Sequence, residues 1–88
     1  MNDKFICPVC GFNGLEEAPY RENNKPSFEI CHCCGYEFGF NDTSNIDIKK
    51  SHQIYREKWI KDGAKWFLPQ FIPHGWQLSK QLENIIKN

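Results

Sequence analysis

The feature that most constrains this chain is a repeated five-residue pattern. Cys7-Pro8-Val9-Cys10-Gly11 and Cys31-His32-Cys33-Cys34-Gly35 are two copies of Cys-x-x-Cys-Gly, separated by twenty residues. A tight turn over such a stretch points both sulfurs at one place, and the glycine that follows accepts the unusual backbone geometry this demands. Two turns supply four thiolates, the number and geometry a structural Zn²⁺ takes at about 2.3 Å. The spacing of the pairs is that of paired Cys-x-x-Cys zinc sites. The expected metal ligands are therefore Cys7, Cys10, Cys31 and Cys34, with Zn²⁺ as the structural cofactor. An iron site of the same four-thiolate shape uses the same residues.

Cys33 is excluded because a Cys31–Cys33 pair would not make the turn, and Gly35 follows Cys34 as Gly11 follows Cys10. His32 lies inside the second turn and is read as a surface residue. A redox dithiol opens a helix, whose N-terminus lowers the thiol pKa. Here glycine and turn formers follow each pair. Five cysteines also leave one over from any closed disulfide framework.

The 88 residues suggest one domain, 1–88. A chain this short often needs a metal, a disulfide or a partner for stability. Three zones follow one another. Residues 1–45 hold every cysteine and read as a zinc ribbon with short antiparallel strands. Lys4–Ile6 and Ser27–Ile30 lead into the two turns, and Tyr36, Phe38 and Phe40 alternate onto one strand face. Residues 46–67 read as a helix packing on the ribbon, with caps on offer in 41–45. Ile48, His52, Tyr55 and Trp59 form its stripe. Ile54 and Ile60 fall off that stripe, which predicts contact on more than one side. Gly63 is placed to end this helix.

Residues 68–88 read as a connector kept extended by Pro69 and Pro73, then an amphipathic helix with Leu78, Leu82, Ile85 and Ile86 on one face and Lys80, Glu83, Asn84 and Lys87 on the other. The fold class is thus small α+β: a zinc ribbon with two zinc knuckles, followed by two C-terminal helices.

Charge is divided between the halves. Through residue 45 there are three basic and seven acidic residues, and from residue 46 eight basic and four acidic. The halves carry −4 and +4, and a four-thiolate zinc site takes the ribbon half to −6. That is a poor platform for a polyanion, whose binding needs concentrated Lys and Arg. Lys49, Lys50, Arg56, Lys58, Lys61 and Lys65 spread around the helix and are interrupted by Glu57 and Asp62. They read as a solvated face or as docking to the acidic half, with nucleic acid as the alternative partner.

Other motifs carry less. Asp42–Asp47 lacks the central glycine and terminal glutamate of a calcium loop. His52 falls on the apolar stripe and reads as a hydrogen-bonded core residue. Tyr55, Trp59, Trp66, Phe67, Phe71 and Trp76 read mainly as packing for helices on the ribbon. No serine or cysteine is visibly paired with a histidine and a carboxylate, so no enzyme is expected. Apolar runs are far shorter than the roughly 20 residues of a spanning helix. The start shows no signal-peptide stretch, and a cytoplasmic protein with reduced thiols is expected.

Cys7–Phe12, Phe28–Cys31 and Cys34–Phe40, with Tyr55–Phe67 and Trp76–Ile85, resemble a group of small uncharacterised bacterial zinc-ribbon proteins related to the cysteine-rich CPCC family. The first knuckle departs from Cys-Pro-Cys-Cys by having Val9 in its third place, and His32 stands where proline would be expected. The resemblance implies a zinc ribbon without an established activity. Some such proteins look like products of bacterial toxin–immunity regions, which implies a protein partner such as a toxin.

Overall fold

Two turns of identical construction organise the N-terminal half of the computed structural model, which describes residues 4–42 and 47–86. In the first, the Gly11 N–H donates to the Cys7 carbonyl (2.9 Å) and the Cys7 N–H donates to the Phe12 carbonyl (2.7 Å). The second repeats both bonds, Gly35 to Cys31 (2.9 Å) and Cys31 to Tyr36 (3.0 Å). Each turn is flanked by an antiparallel bridge, Phe5 with Leu15 and Ile30 with Glu37. A third joins Tyr20 to Pro26.

The expected strands do not form: among the described residues, pairing stops at these three isolated bridges. A ladder needs consecutive extended residues, and this half is broken by left-handed backbone at Gly11, Asn23, Asn24, Phe28, Gly35 and Gly39. The alternation after the second knuckle also ends early. Tyr36 and Phe38 are fully buried, but Phe40 is 67% exposed. The chain turns there, with the Phe40 and Asn41 N–H groups both donating to the Glu37 carbonyl.

Helix α1 spans Ile48–Lys61. Its cap is Asp47, whose carboxylate accepts the Lys49 N–H at 3.2 Å. The cap therefore lies beyond the 41–45 cluster expected to supply it, and Thr43, Ser44, Asn45 and Ile46 lie outside the described residues. With them goes most of the calcium-loop segment.

The helix ends in a Schellman arrangement, the Gly63 N–H on the Ile60 carbonyl (3.0 Å) and the Ala64 N–H on the Trp59 carbonyl (2.8 Å). Gly63 has φ +106°. His52 and Trp59 are buried and Tyr55 half-buried, so the stripe faces the N-terminal half. Ile54 and Ile60 are exposed, against the expectation of a second contacted side. Their register points them away from that single face.

Polar links from four residues of α1 fix it to the N-terminal half. Tyr36 and Ser51 hydroxyls bond at 2.9 Å. Tyr20 bonds His52. The Tyr55 hydroxyl donates to the Cys34 carbonyl at 2.9 Å. Arg56 donates to the Val9 carbonyl at 2.7 Å and the Pro8 carbonyl at 3.3 Å. The basic helix thus docks on backbone carbonyls and hydroxyls. The ion pairs among the described residues are local: Lys4–Glu16, Arg21–Glu17 and Lys58–Asp62.

The connector is not extended throughout. Pro69–Phe71 forms a 3-10 turn, since proline's fixed φ suits a helical start as well as an extended one. Just before it, the Phe67 and Leu68 N–H groups donate to the Cys33 and His32 carbonyls at 2.8 and 2.9 Å. Helix α2 is short, Leu78–Leu82. Leu78, Leu82 and Ile85 are half-buried while Lys80, Glu83 and Asn84 are exposed. Ile86, expected inside, is 44% exposed, and Lys87 lies outside the described residues. No helix among them is long and apolar enough to cross a membrane.

Candidate metal centre

The two turns face each other and bring together four sulfurs. Ligand atoms of Cys7, Cys10, Cys31 and Cys34 all lie within 4.8 Å of one another, and all four residues are buried. Across the turns, the Cys10 and Cys31 sulfurs are 3.7 Å apart and the Cys7 and Cys34 sulfurs 3.9 Å. A tetrahedron with metal–sulfur bonds of about 2.3 Å has edges of about 3.8 Å. The donor set thus fits a tetrahedral cation without rearrangement of these pairs.

Electrostatics point the same way. As bare thiols the sulfurs split: a hydrogen bond to Cys31 keeps the Cys10 proton on, while accepting from Cys10 pushes Cys31 far down. Burial pushes Cys34 up. Two unit charges at this separation repel by about 4 kcal/mol in an intermediate dielectric. Four thiolates cannot share the volume without a positive ion at their centre.

Cys33 does not join the group. Its side chain is fully buried, and its sulfur accepts from Gln81 Nε2 at 3.3 Å. His32 stacks on Phe71, with ring centroids 4.3 Å apart, and is half-buried. The aromatics expected as packing divide. Trp59 and Trp66 are buried and Tyr55 and Trp76 half-buried, but Phe67 and Phe71 are about half exposed.

Sequence reasoning missed the outer support of the centre. Gln81 Nε2 also donates to the Cys10 carbonyl at 3.0 Å, and its Oε1 accepts from the Trp76 indole at 2.7 Å. Asn84 donates to the Gly11 carbonyl at 2.8 Å. Gly11 (φ +88°) must be glycine here, because a Cβ would strike the Gln81 carbonyl. The C-terminal segment thus bonds directly to the backbone of the first knuckle. Partners so distant in sequence leave no periodic signal. Gln81→Leu should retain full metal stoichiometry yet lower stability by about 1–3 kcal/mol, because the Trp76 indole and the Cys10 carbonyl lose their partner. An unchanged urea midpoint would show that the clasp is idle.

A second polar cluster lies at the joint of α1 and the N-terminal half. The Tyr20 hydroxyl donates to the Asp42 carboxylate and sits 3.0 Å from His52 Nε2. With its own proton committed, Tyr20 accepts from His52, which is neutral with the proton on Nε2. Burial pushes the His52 pKa below 6.5, with Arg56 adding to the effect and Asp42 and Asp47 opposing it. A histidine depressed in the folded state contributes fully above its unfolded pKa. That contribution falls as pH drops below about 6.5. His52→Gln should therefore lose less stability than the wild type between neutral pH and the onset of metal loss, compared by urea titration. Parallel pH profiles would refute this role for His52.

Against known proteins, the chain is 31% identical over 80 residues to the uncharacterised protein YoaQ of Bacillus subtilis, covering 78% of this chain and 68% of the relative. It is 30% identical over 85 residues to the uncharacterised YozI of the same organism, covering 83% and 70%. The chain belongs to the YoaQ and YozI family. No protein-family model matches it, so its likeness to CPCC proteins is one of motif. No solved structure matches.

Proposed function

We propose that this chain is a structural-zinc module without catalytic activity, which acts in the cytoplasm by binding another protein. The observation that carries it is the closed character of the four-sulfur centre. All four sulfurs are buried and mutually within 4.8 Å. Such a set fills a tetrahedral ion's coordination and leaves no place for water or substrate, unlike a catalytic zinc with three protein ligands. Zinc suits the role because thiolates and tetrahedral geometry are what it prefers. The ion's contribution is folding energy, about 10–16 kcal/mol in zinc-finger peptides.

Two observations weigh against nucleic acid. Arg56 is turned onto knuckle carbonyls, and Lys58 is paired with Asp62. A toxin is the partner class supported by the resemblance to immunity-region proteins. Cells making such a toxin from a neighbouring gene should then survive only when the chain is present.

Native mass spectrometry should find one zinc per chain. The zinc-loaded chain used as bait should retain a protein that re-forms the complex when both are pure and nuclease-treated. Retention of nucleic acid alone, with affinity falling steeply in salt, would overturn the protein-binding reading.

A further inference from the structure

The centre is overlain by a segment from the far end of the chain, which touches both knuckles. Its root lies on the second. The Phe67 and Leu68 N–H groups donate to the Cys33 and His32 carbonyls at 2.8 and 2.9 Å. The Phe67 ring sits against Gly35, where a Cβ would come within 3.1 Å of it. Further along, Gln81 joins the two knuckles through one amide. Its Nε2 donates to the Cys10 carbonyl at 3.0 Å and to the Cys33 sulfur at 3.3 Å. The Trp76 indole holds that amide from behind at 2.7 Å, and Asn84 adds its bond to the Gly11 carbonyl.

The far part of this segment is built to come away. Helix α2, which carries Gln81, has five residues and no buried one. A helix so short does not persist by itself in water, so its contacts hold it in place. A cleft of about 220 Å³ runs between it and the first knuckle, with Phe12 and Asn13 on one wall and Trp76, Gln77 and Lys80 on the other. Sparse apolar contact of this kind marks the part of a structure that opens first. The segment is also jointed. Residues 69–75 are all exposed, and Gly75 has φ +75° with no atom within 4 Å of where its Cβ would stand. The first knuckle keeps a separate anchor when this part lifts, because Arg56 of α1 donates to the Val9 and Pro8 carbonyls.

We propose that residues 76–85 form a strap, hinged at 69–75, which sets the rate at which the centre exchanges its cation without supplying a ligand to it. Closed, the Gln81 amide ties the knuckles together and keeps an incoming chelating ligand from the buried sulfurs. Open, the sulfurs stay gathered by the knuckle turns and Arg56, and a chelating ligand reaches them. This inference rests on the structural-zinc reading and deepens it.

The test follows release of zinc from the loaded full chain to an excess of a chromogenic chelator. The zinc content is first measured after denaturation. The wild-type release rate should level off as chelator concentration rises, at one ceiling for two chelators of different size, because strap opening then limits it. Gln81→Leu should keep one zinc per chain and raise that ceiling roughly tenfold or more, as expected when two bonds to buried groups are lost. Asn84→Ala should raise it by a smaller factor, and it carries the test if Gln81→Leu does not fold. Ser51→Ala weakens the joint of α1 to Tyr36 instead and should release zinc at the wild-type rate. Amide hydrogens of Gln81, Ile85 and Ile86 should exchange faster than those of Ala64 and Phe67 in the loaded chain.

A ceiling unmoved by either strap substitution overturns the inference. So does equal acceleration by Ser51→Ala, which marks release through global unfolding, or a rate that rises with chelator concentration without levelling off. Zinc present with an unmoved ceiling sinks the strap and leaves the structural-zinc reading standing. A chain that yields no zinc after denaturation sinks that reading itself.

Discussion

Replacing Cys31 with serine should leave the chain unfolded at room temperature. The substitution removes one of four sulfurs from a centre whose members are all buried. A structural zinc site contributes about 10–16 kcal/mol in zinc-finger peptides, and the whole stability of a domain is about 5–15 kcal/mol. Losing most of the first therefore exhausts the second. Exhaustive chelation with the thiols kept reduced should give the same result. Circular dichroism and proton NMR dispersion read both. A chelated chain that still melts cooperatively, or a Cys31→Ser variant with full zinc stoichiometry, would contradict the assignment. Cys33→Ser supplies the contrast: it keeps its metal and loses only the Gln81 bond and a well-packed sulfur.

The second large effect is expected at Tyr36. It is fully buried and packs against Phe38, His52 and Tyr55, with ring centroids 4.9 to 5.2 Å apart. It therefore joins the second knuckle to α1. Tyr36→Ala should cost about 3–5 kcal/mol, the range for emptying a buried aromatic site. For a domain at the low end of that stability range this unfolds a substantial fraction of molecules even with the metal site filled. Tyr36→Phe keeps the ring and removes only the bond to Ser51. Ser51 retains the Asn41 carbonyl at 3.3 Å as a partner, so the loss should be about 1 kcal/mol. Equal destabilisation by both variants would show that the hydroxyl, and not the ring, joins the two parts.

The two substitutions differ in how visible they were in the amino-acid order. The four sulfurs are legible because a knuckle is a local device: spacing and a following glycine define it, and nothing distant is needed. The α1 stripe of His52, Tyr55 and Trp59 is legible for the same reason, since one helix face repeats within its own length. The strands failed because alternation says nothing of backbone sign. Ser27–Ile30 alternates, yet Phe28 is left-handed and the ladder stops there.

Phe40 failed because a turn at Glu37–Asn41 ended the pleat one residue too soon. The cap moved to Asp47 because several capping residues stood in a row and only geometry chooses among them. Gln81, Asn84 and Arg56 were invisible as supports. Each bonds a main-chain carbonyl of the first knuckle, and a carbonyl is the one acceptor that every residue presents.

The order of synthesis gives that last group a particular meaning. All four sulfurs have been made once residue 34 leaves the ribosome, whereas Gln81 and Asn84 reach back 71 and 73 residues to Cys10 and Gly11. Ion capture can therefore begin on a nascent chain, before the residues of the clasp have been made. A polypeptide cut short before residue 76 would keep all four sulfurs and the Arg56 bonds while leaving the Cys10 and Gly11 carbonyls without their side-chain partners, which separates the capture of an ion from the covering of its cage.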